Sequence, residues 1–168
     1  MSIKHKFAII LCILIISAMA CDKSPNPMKD TLSVSNDNGE PIDTTYIGKV
    51  VIGEMDKKYG DDPFKLNSAM IQDDLLKVSV SYSGGCKSHE FTLVASDEFL
   101  ESDPVQLMAS IVHDDNDDSC EAYPTEDYYF DLTPIKTMYQ KAYRQDAGTI
   151  VINLKDNTDG DLVYKFEK

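Results

Sequence analysis

Four residues in the chain could act together: Cys86 and His89 in Tyr82-Ser83-Gly84-Gly85-Cys86-Lys87-Ser88-His89, and His113 and Cys120 on either side of Asp114-Asp115-Asn116-Asp117-Asp118. Thiols and imidazoles in this pattern support three kinds of chemistry. In an oxidising compartment Cys86 and Cys120 would form a disulfide, closing a loop of about 34 residues and stabilising the fold by roughly 3 to 4 kcal/mol in the chain-entropy model. Kept reduced, Cys86, His89, His113 and Cys120 make a two-thiolate, two-imidazole set suited to tetrahedral Zn²⁺ or to copper. Cys-x₂-His is good local spacing for such a site and His-x₆-Cys is looser. The disulfide and the four-ligand site exclude each other. A third chemistry, nucleophilic attack by Cys86 with His89 or His113 as base, requires an exposed thiolate that no sequence feature supplies. The disulfide is the leading expectation, with a non-enzymatic protein and no cofactor; the metal site is the alternative.

The surrounding residues admit plainer roles. Asp114-x-Asn116-x-Asp118 places oxygen ligands at alternate positions, as calcium loops do, but the turn glycine and distant glutamate of an EF-hand are missing. An Asp/Asn turn that satisfies its own amides is the preferred account of the run. Gly84 and Gly85 let the backbone turn at positive φ; without a following Lys-Ser pair or a strand-to-helix context they do not form a phosphate loop. Tyr123, Tyr128, Tyr129, Tyr139, Tyr143 and Tyr164 are expected in the core or on its rim rather than as a carbohydrate platform.

These residues must be positioned by strands. From Lys49 onward apolar residues recur at a spacing of two, clearest in Leu76, Val78, Val80 and Tyr82 against Lys77, Ser79 and Ser81. Strands are expected at Val50–Ile52, Phe64–Ile71, Leu75–Tyr82, His89–Ala95, Val105–His113, Tyr128–Leu132, Ile150–Leu154 and Leu162–Phe166, with a hairpin turn at Gln72-Asp73-Asp74. Parity puts His89 with Phe91 and Leu93, and His113 with Leu107, Ala109 and Ile111. If the strand starting at His89 and the strand ending at His113 are antiparallel neighbours, both histidines and both cysteines meet at one end of the domain. One short helix is expected near 134–145, with Thr133 as N-cap, Pro134 at the first helical position, an apolar stripe of Ile135, Met138, Tyr139 and Ala142, and Gly148 ending the unit. The class is all-β and mainly antiparallel, an immunoglobulin-like β-sandwich or a small barrel.

The N-terminus carries an address. Lys4 and Lys6, an apolar run from Phe7 to Ile16, and Ser17-Ala18-Met19-Ala20 before Cys21 have the build of an export signal. Small residues ending at Ala20 before a cysteine resemble the lipobox of bacterial lipoproteins, which implies acylation of Cys21, although Ala18 stands where that family usually has leucine. Ordinary secretory cleavage after Ala20 is the other option. Cysteine arithmetic favours lipid: Cys12 leaves with the signal, Cys21 is modified, and Cys86 and Cys120 remain as an even pair. The expected organisation is a signal peptide at 1–20, a lipidated Pro- and Ser-containing tether at 21–45 and one domain at 46–168. Sixteen Lys and Arg stand against 29 Asp and Glu, a net charge of −13. Such a surface repels nucleic acid and anionic headgroups. The membrane is therefore an expected partner only through the N-terminal lipid, beside an unidentified protein or small ligand.

Ser83-Gly84-Gly85-Cys86-Lys87-Ser88-His89-Glu90-Phe91 and His113 through Cys120, followed by Phe130-Asp131-Leu132, resemble signatures of small exported bacterial lipoproteins that carry no assigned activity. The resemblance implies that Cys86, His89, His113, Asp118 and Cys120 form one structural unit. It implies a cell-envelope location, inner or outer membrane left open, and no reaction.

Overall fold

The structure, a computed structural model, describes residues 46–53 and 59–167. All belong to the second of the two units into which the chain divides, Ser33–Lys168. The expected signal, the tether and Cys21 lie outside the described residues. Eight strands and a helix follow in the order β1 (Lys49–Ile52), β2 (Phe64–Gln72), β3 (Leu75–Tyr82), β4 (Glu90–Ala95), β5 (Val105–Asp114), β6 (Thr125–Asp131), α1 (Thr133–Tyr143), β7 (Gly148–Leu154) and β8 (Leu162–Phe166). They build a five-stranded sheet, β1-β4-β5-β7-β8, and a three-stranded sheet, β2-β3-β6. The result is a small β-sandwich and not a closed barrel.

Strand alternation fills the space between the sheets. Leu76, Val78, Val80 and Tyr82 of β3 are buried together with Phe91, Leu93, Leu107, Phe130, Ile150, Ile152 and Tyr164 in one core. Each such side chain contributes about 1.5–3 kcal/mol by leaving water. The opposite face of β3 is polar, and Ser81 there is held between Asn67 and Thr125 at 2.8 and 2.7 Å. A β-bulge between Leu66 and Ser68 interrupts β2, a strand at the edge of its sheet, which disfavours pairing with another chain.

Two neighbour pairs are parallel, β1 with β4 and β5 with β7. The chain leaves the large sheet after β5, forms β6 in the small sheet and then α1, and so returns to β5's side in the same direction, the crossover that parallel pairing requires. Residues 46–52 cover an edge of each sheet. Gly48 donates to the Tyr129 carbonyl at 2.9 Å beside an Ile47–Tyr129 bridge, and β1 then joins β4. Only glycine fits at this crossing, since a Cβ on Gly48 would sit 2.2 Å from the Phe130 ring.

The helix departs from expectation at both ends. Leu132, not Thr133, is the N-cap, and Thr133 is already helical. Leu132 is fully buried, and the adjacent Asp131 carboxylate takes the Thr133 N–H at 2.9 Å, doing from one position earlier what a capping side chain does. The C-cap is Arg144 in the left-handed region at φ 58°, while Gly148 opens β7. Ile135 and Tyr139 are buried as expected but Ala142 is exposed, and half-buried Tyr143 packs on Tyr139 and Phe99 in its place.

Candidate functional site at one end of the sandwich

Two connections between the sheets meet at one end. Residues 83–89 run from β3 in the small sheet to β4 in the large one, and residues 115–124 run from β5 in the large sheet back to β6. They approach because β3 and β6 keep pairing past their ends: Tyr82 N donates to Pro124 O at 3.3 Å and Gly84 N to Ala122 O at 3.0 Å. This extended ladder sets Cys86 opposite Cys120, and the two form a disulfide with Cα atoms 6.0 Å apart. A different pairing assembles the histidines. β4 and β5 are antiparallel neighbours with Phe91 opposite His113, so His89, one residue before β4, lies beside the end of β5.

Asp118 ties these parts together. Its Oδ2 accepts N–H bonds from Gly85, Cys86 and Lys87 at 2.8, 2.8 and 2.9 Å and meets His89 Nε2 at 3.2 Å. Its Oδ1 accepts the Cys120 N–H at 3.0 Å. The carboxylate is thus an anion in a nest of successive backbone amides. The Cys120 amide, with Lys87, Cys86 and His89, holds it well below the usual carboxylate range, against an opposing effect of burial. Gly84 makes the nest possible: its φ is +130°, and a Cβ there would lie 2.6 Å from His89 Nε2. Lys87 fastens the other side, its ammonium donating to the Asn116 and Asp117 carbonyls at 2.8 and 2.6 Å.

Behind Asp118 the two imidazoles bond to each other, His89 Nδ1 to His113 Nε2 at 2.8 Å, with ring planes 17° apart. The side chain of His89 is fully buried and His113 is 1% exposed. Tyr82 packs on His89, Phe91 stacks on His113, and Phe64 meets His113 edge to face. Burial pushes the His113 value down, and the neighbouring His89 adds to the shift; Asp62, the Pro63 carbonyl and Asp115 oppose it. Among the described residues, Nδ1 of His113 is the buried side-chain polar atom with no regular hydrogen-bond partner. The Tyr82 and Tyr128 hydroxyls both donate to Glu126. Burial pushes the Tyr128 hydroxyl up to about 12.

The structure therefore brings all four candidate residues, Cys86, His89, His113 and Cys120, to one end of the domain, and separates them into two pairs. Both sulfurs are in the disulfide and the facing ring nitrogens bind each other, so the four do not converge on a common ligand point. The alternate oxygens of the acidic run diverge as well. Asp114 accepts the Asn116 N–H at 2.9 Å while Asp118 turns inward. Carboxylates of Asp62, Asp114 and Asp115 gather elsewhere, within 4.8 Å of one another. Sequence reasoning missed Tyr82 and Phe64 as ring neighbours of the histidines, and the arrival of Asp62 and Pro63 beside His113. It also missed a cavity of about 320 Å³ bordered by Asp61, Asp62, His113, Lys155 and Asp156. No short-range signal marks residues that meet only through sheet packing.

No family model and no curated protein matches the chain. Solved structures do. A NigD-like immunity protein from Bacteroides caccae matches with a TM-score of 0.51 at 17% identity, over 70% of this chain and 58% of that one. A protein of unknown function from Bacteroides vulgatus gives 0.42 at 14% identity, over 73% and 56%. A candidate lipoprotein from Bacteroides fragilis gives 0.44 at 13% identity, over 73% and 70%. The chain spans less than two thirds of the length of the first two of these. The likeness is one of fold, carried by the Bacteroides caccae structure.

Proposed function

We propose that the chain is a lipoprotein of the bacterial cell envelope, exported by its N-terminal signal, held to a membrane by lipid on Cys21, and non-enzymatic. Its sandwich domain serves in binding or in envelope structure, with a protein or a small ligand as partner and nucleic acid excluded by its charge. The observation that carries this reading is the Cys86–Cys120 disulfide. A bonded pair fits an oxidising compartment and leaves Cys21 as the odd thiol once Cys12 has gone with the signal. The absence of a reaction is supported by the same geometry. The one sulfur suited to attack is bonded, and both imidazoles are buried and turned to partners inside the protein. Among the described residues no helix is long and apolar enough to cross a membrane, and the lipid supplies the attachment in this proposal. The immunity role named for the Bacteroides caccae protein gives binding one concrete form; a fold match at 17% identity supports it no further than the architecture.

Metabolic labelling with palmitate tests the anchor. Label that disappears in Cys21→Ala, with the protein moving from the membrane to the soluble fraction, is expected. A protein without label in either form would be a soluble secreted one and would overturn the lipoprotein assignment.

A further inference from the structure

The chain of contacts Asp118–His89–His113 fixes how many protons it can carry. The Asp118 carboxylate only accepts, so His89 Nε2, 3.2 Å from Oδ2, meets it as an N–H donor. Two arrangements remain for the 2.8 Å contact between the rings. With both rings neutral, His113 donates from Nε2 to a lone pair on His89 Nδ1, and His113 Nδ1 is left as a bare lone pair. That atom is buried without a partner, and the backbone group acting on the ring is the Pro63 carbonyl, another acceptor. A buried acceptor facing an acceptor is costly.

With one more proton, His89 donates from both nitrogens, His113 accepts at Nε2, and its own hydrogen moves to Nδ1 on the side of that carbonyl. Both contacts in the chain, Asp118 to His89 and His89 to His113, then pair a donor with an acceptor, and His113 Nδ1 presents a hydrogen instead of a lone pair on the side of the Pro63 carbonyl. A second extra proton would set two N–H groups head to head across 2.8 Å.

We propose that the His89–His113 pair holds one proton in common, resting on His89 next to Asp118, and that this proton latches the acidic loop onto the glycine turn. The surrounding charges fit. Asp118 touches the pair directly, and Asp62 and Asp115 act on it from farther off. The Lys87 ammonium is turned to the carbonyls of Asn116 and Asp117. From the small sheet come Tyr82, packed on His89, and Glu126, which takes the Tyr82 hydroxyl together with that of Tyr128. A cation compensated by these carboxylates is tolerated in a closed site. Burial, and after it the neighbouring His89, hold His113 below its ordinary value, which resists a second extra proton on the pair.

The test is imidazole nitrogen NMR on the full oxidised chain in detergent micelles, labelled at histidine and assigned with His89→Gln and His113→Gln. Near neutral pH, His89 is expected to show two protonated nitrogens and His113 a protonated Nδ1 with an accepting Nε2. A neutral His89 beside a His113 protonated at Nε2 overturns the proposal. Asp118→Asn is expected to strip the extra proton and return the His113 hydrogen to Nε2; if it does not fold, the wild-type spectrum still decides. Amide exchange reads the latch. In the window where the opened loop has lost the shared proton and the closed loop still holds it, protection of Gly85, Cys86 and Lys87, corrected for intrinsic exchange, is expected to fall about tenfold per pH unit, the slope of one proton, and to level off once the closed loop has lost it too. Protection that stays flat across that window overturns the latch.

Discussion

Asp118 concentrates the bonding of the site, since one carboxylate accepts four backbone N–H groups and faces His89. Asp118→Ala would leave those donors turned toward an apolar methyl. The expected result is a melting temperature lower by several degrees in the oxidised protein, with a smaller loss for Asp118→Asn, read by circular dichroism. Acid acts through two groups in the same direction. His113 titrates below the ordinary 6.5 in the folded protein, so the unfolded chain binds its proton more readily and stability falls as pH drops below that value. Asp118 titrates below its ordinary 3.8, so its contribution, complete above that value, is lost as pH falls farther. The urea midpoint is expected to decline in two stages on acidification. A midpoint that rises through the first stage would contradict the burial of a His113 that resists charge. Little of this was legible in the sequence, where Asp118 is one of four aspartates in a run of five and only the resemblance to lipoprotein signatures included it in the unit.

At the scale of elements, the glycine turn and the disulfide should be separable. Gly84→Ala places a Cβ at positive φ against His89, and we expect a loss of about 1–3 kcal/mol in urea unfolding with the disulfide still formed. Reduction, or Cys86→Ser with Cys120→Ser, is expected to cost about 3–4 kcal/mol for a loop of 34 residues while the strands persist in far-ultraviolet circular dichroism. The strands themselves were readable, because the alternation of β3 and the two-residue Asp73-Asp74 turn are local facts. The β4–β5 neighbourhood that unites the histidines entered the sequence reading only as a condition, since strand order is not a local fact, and the antiparallel register meets that condition. The parallel β5–β7 pairing was not, because it depends on a helix and a strand of the other sheet lying between them. The helix stripe was misread at Ala142 because the left-handed turn at Arg144 and the aromatic contacts of Phe99 draw Tyr143 inward. The cysteines were expected to meet through β4 and β5; they meet through the continued β3–β6 ladder, which no spacing in the sequence reveals.

At the scale of the whole molecule, the described residues form a sandwich whose one end is closed by a covalent bond, a carboxylate nest and a pair of imidazoles, and the proposed lipid on Cys21 would hold it to a membrane. The net charge of −13 opposes adsorption to anionic headgroups, so attachment through the proposed lipid should survive high salt and be lost in Cys21→Ala. The most direct test is mass spectrometry of the protein isolated from membranes, digested without reduction. The account predicts an acylated N-terminal peptide beginning at Cys21 and a cross-linked pair of peptides carrying Cys86 and Cys120, lighter by two hydrogens than the two thiol peptides together. Free thiols at Cys86 and Cys120, with an unmodified Cys21, would contradict it.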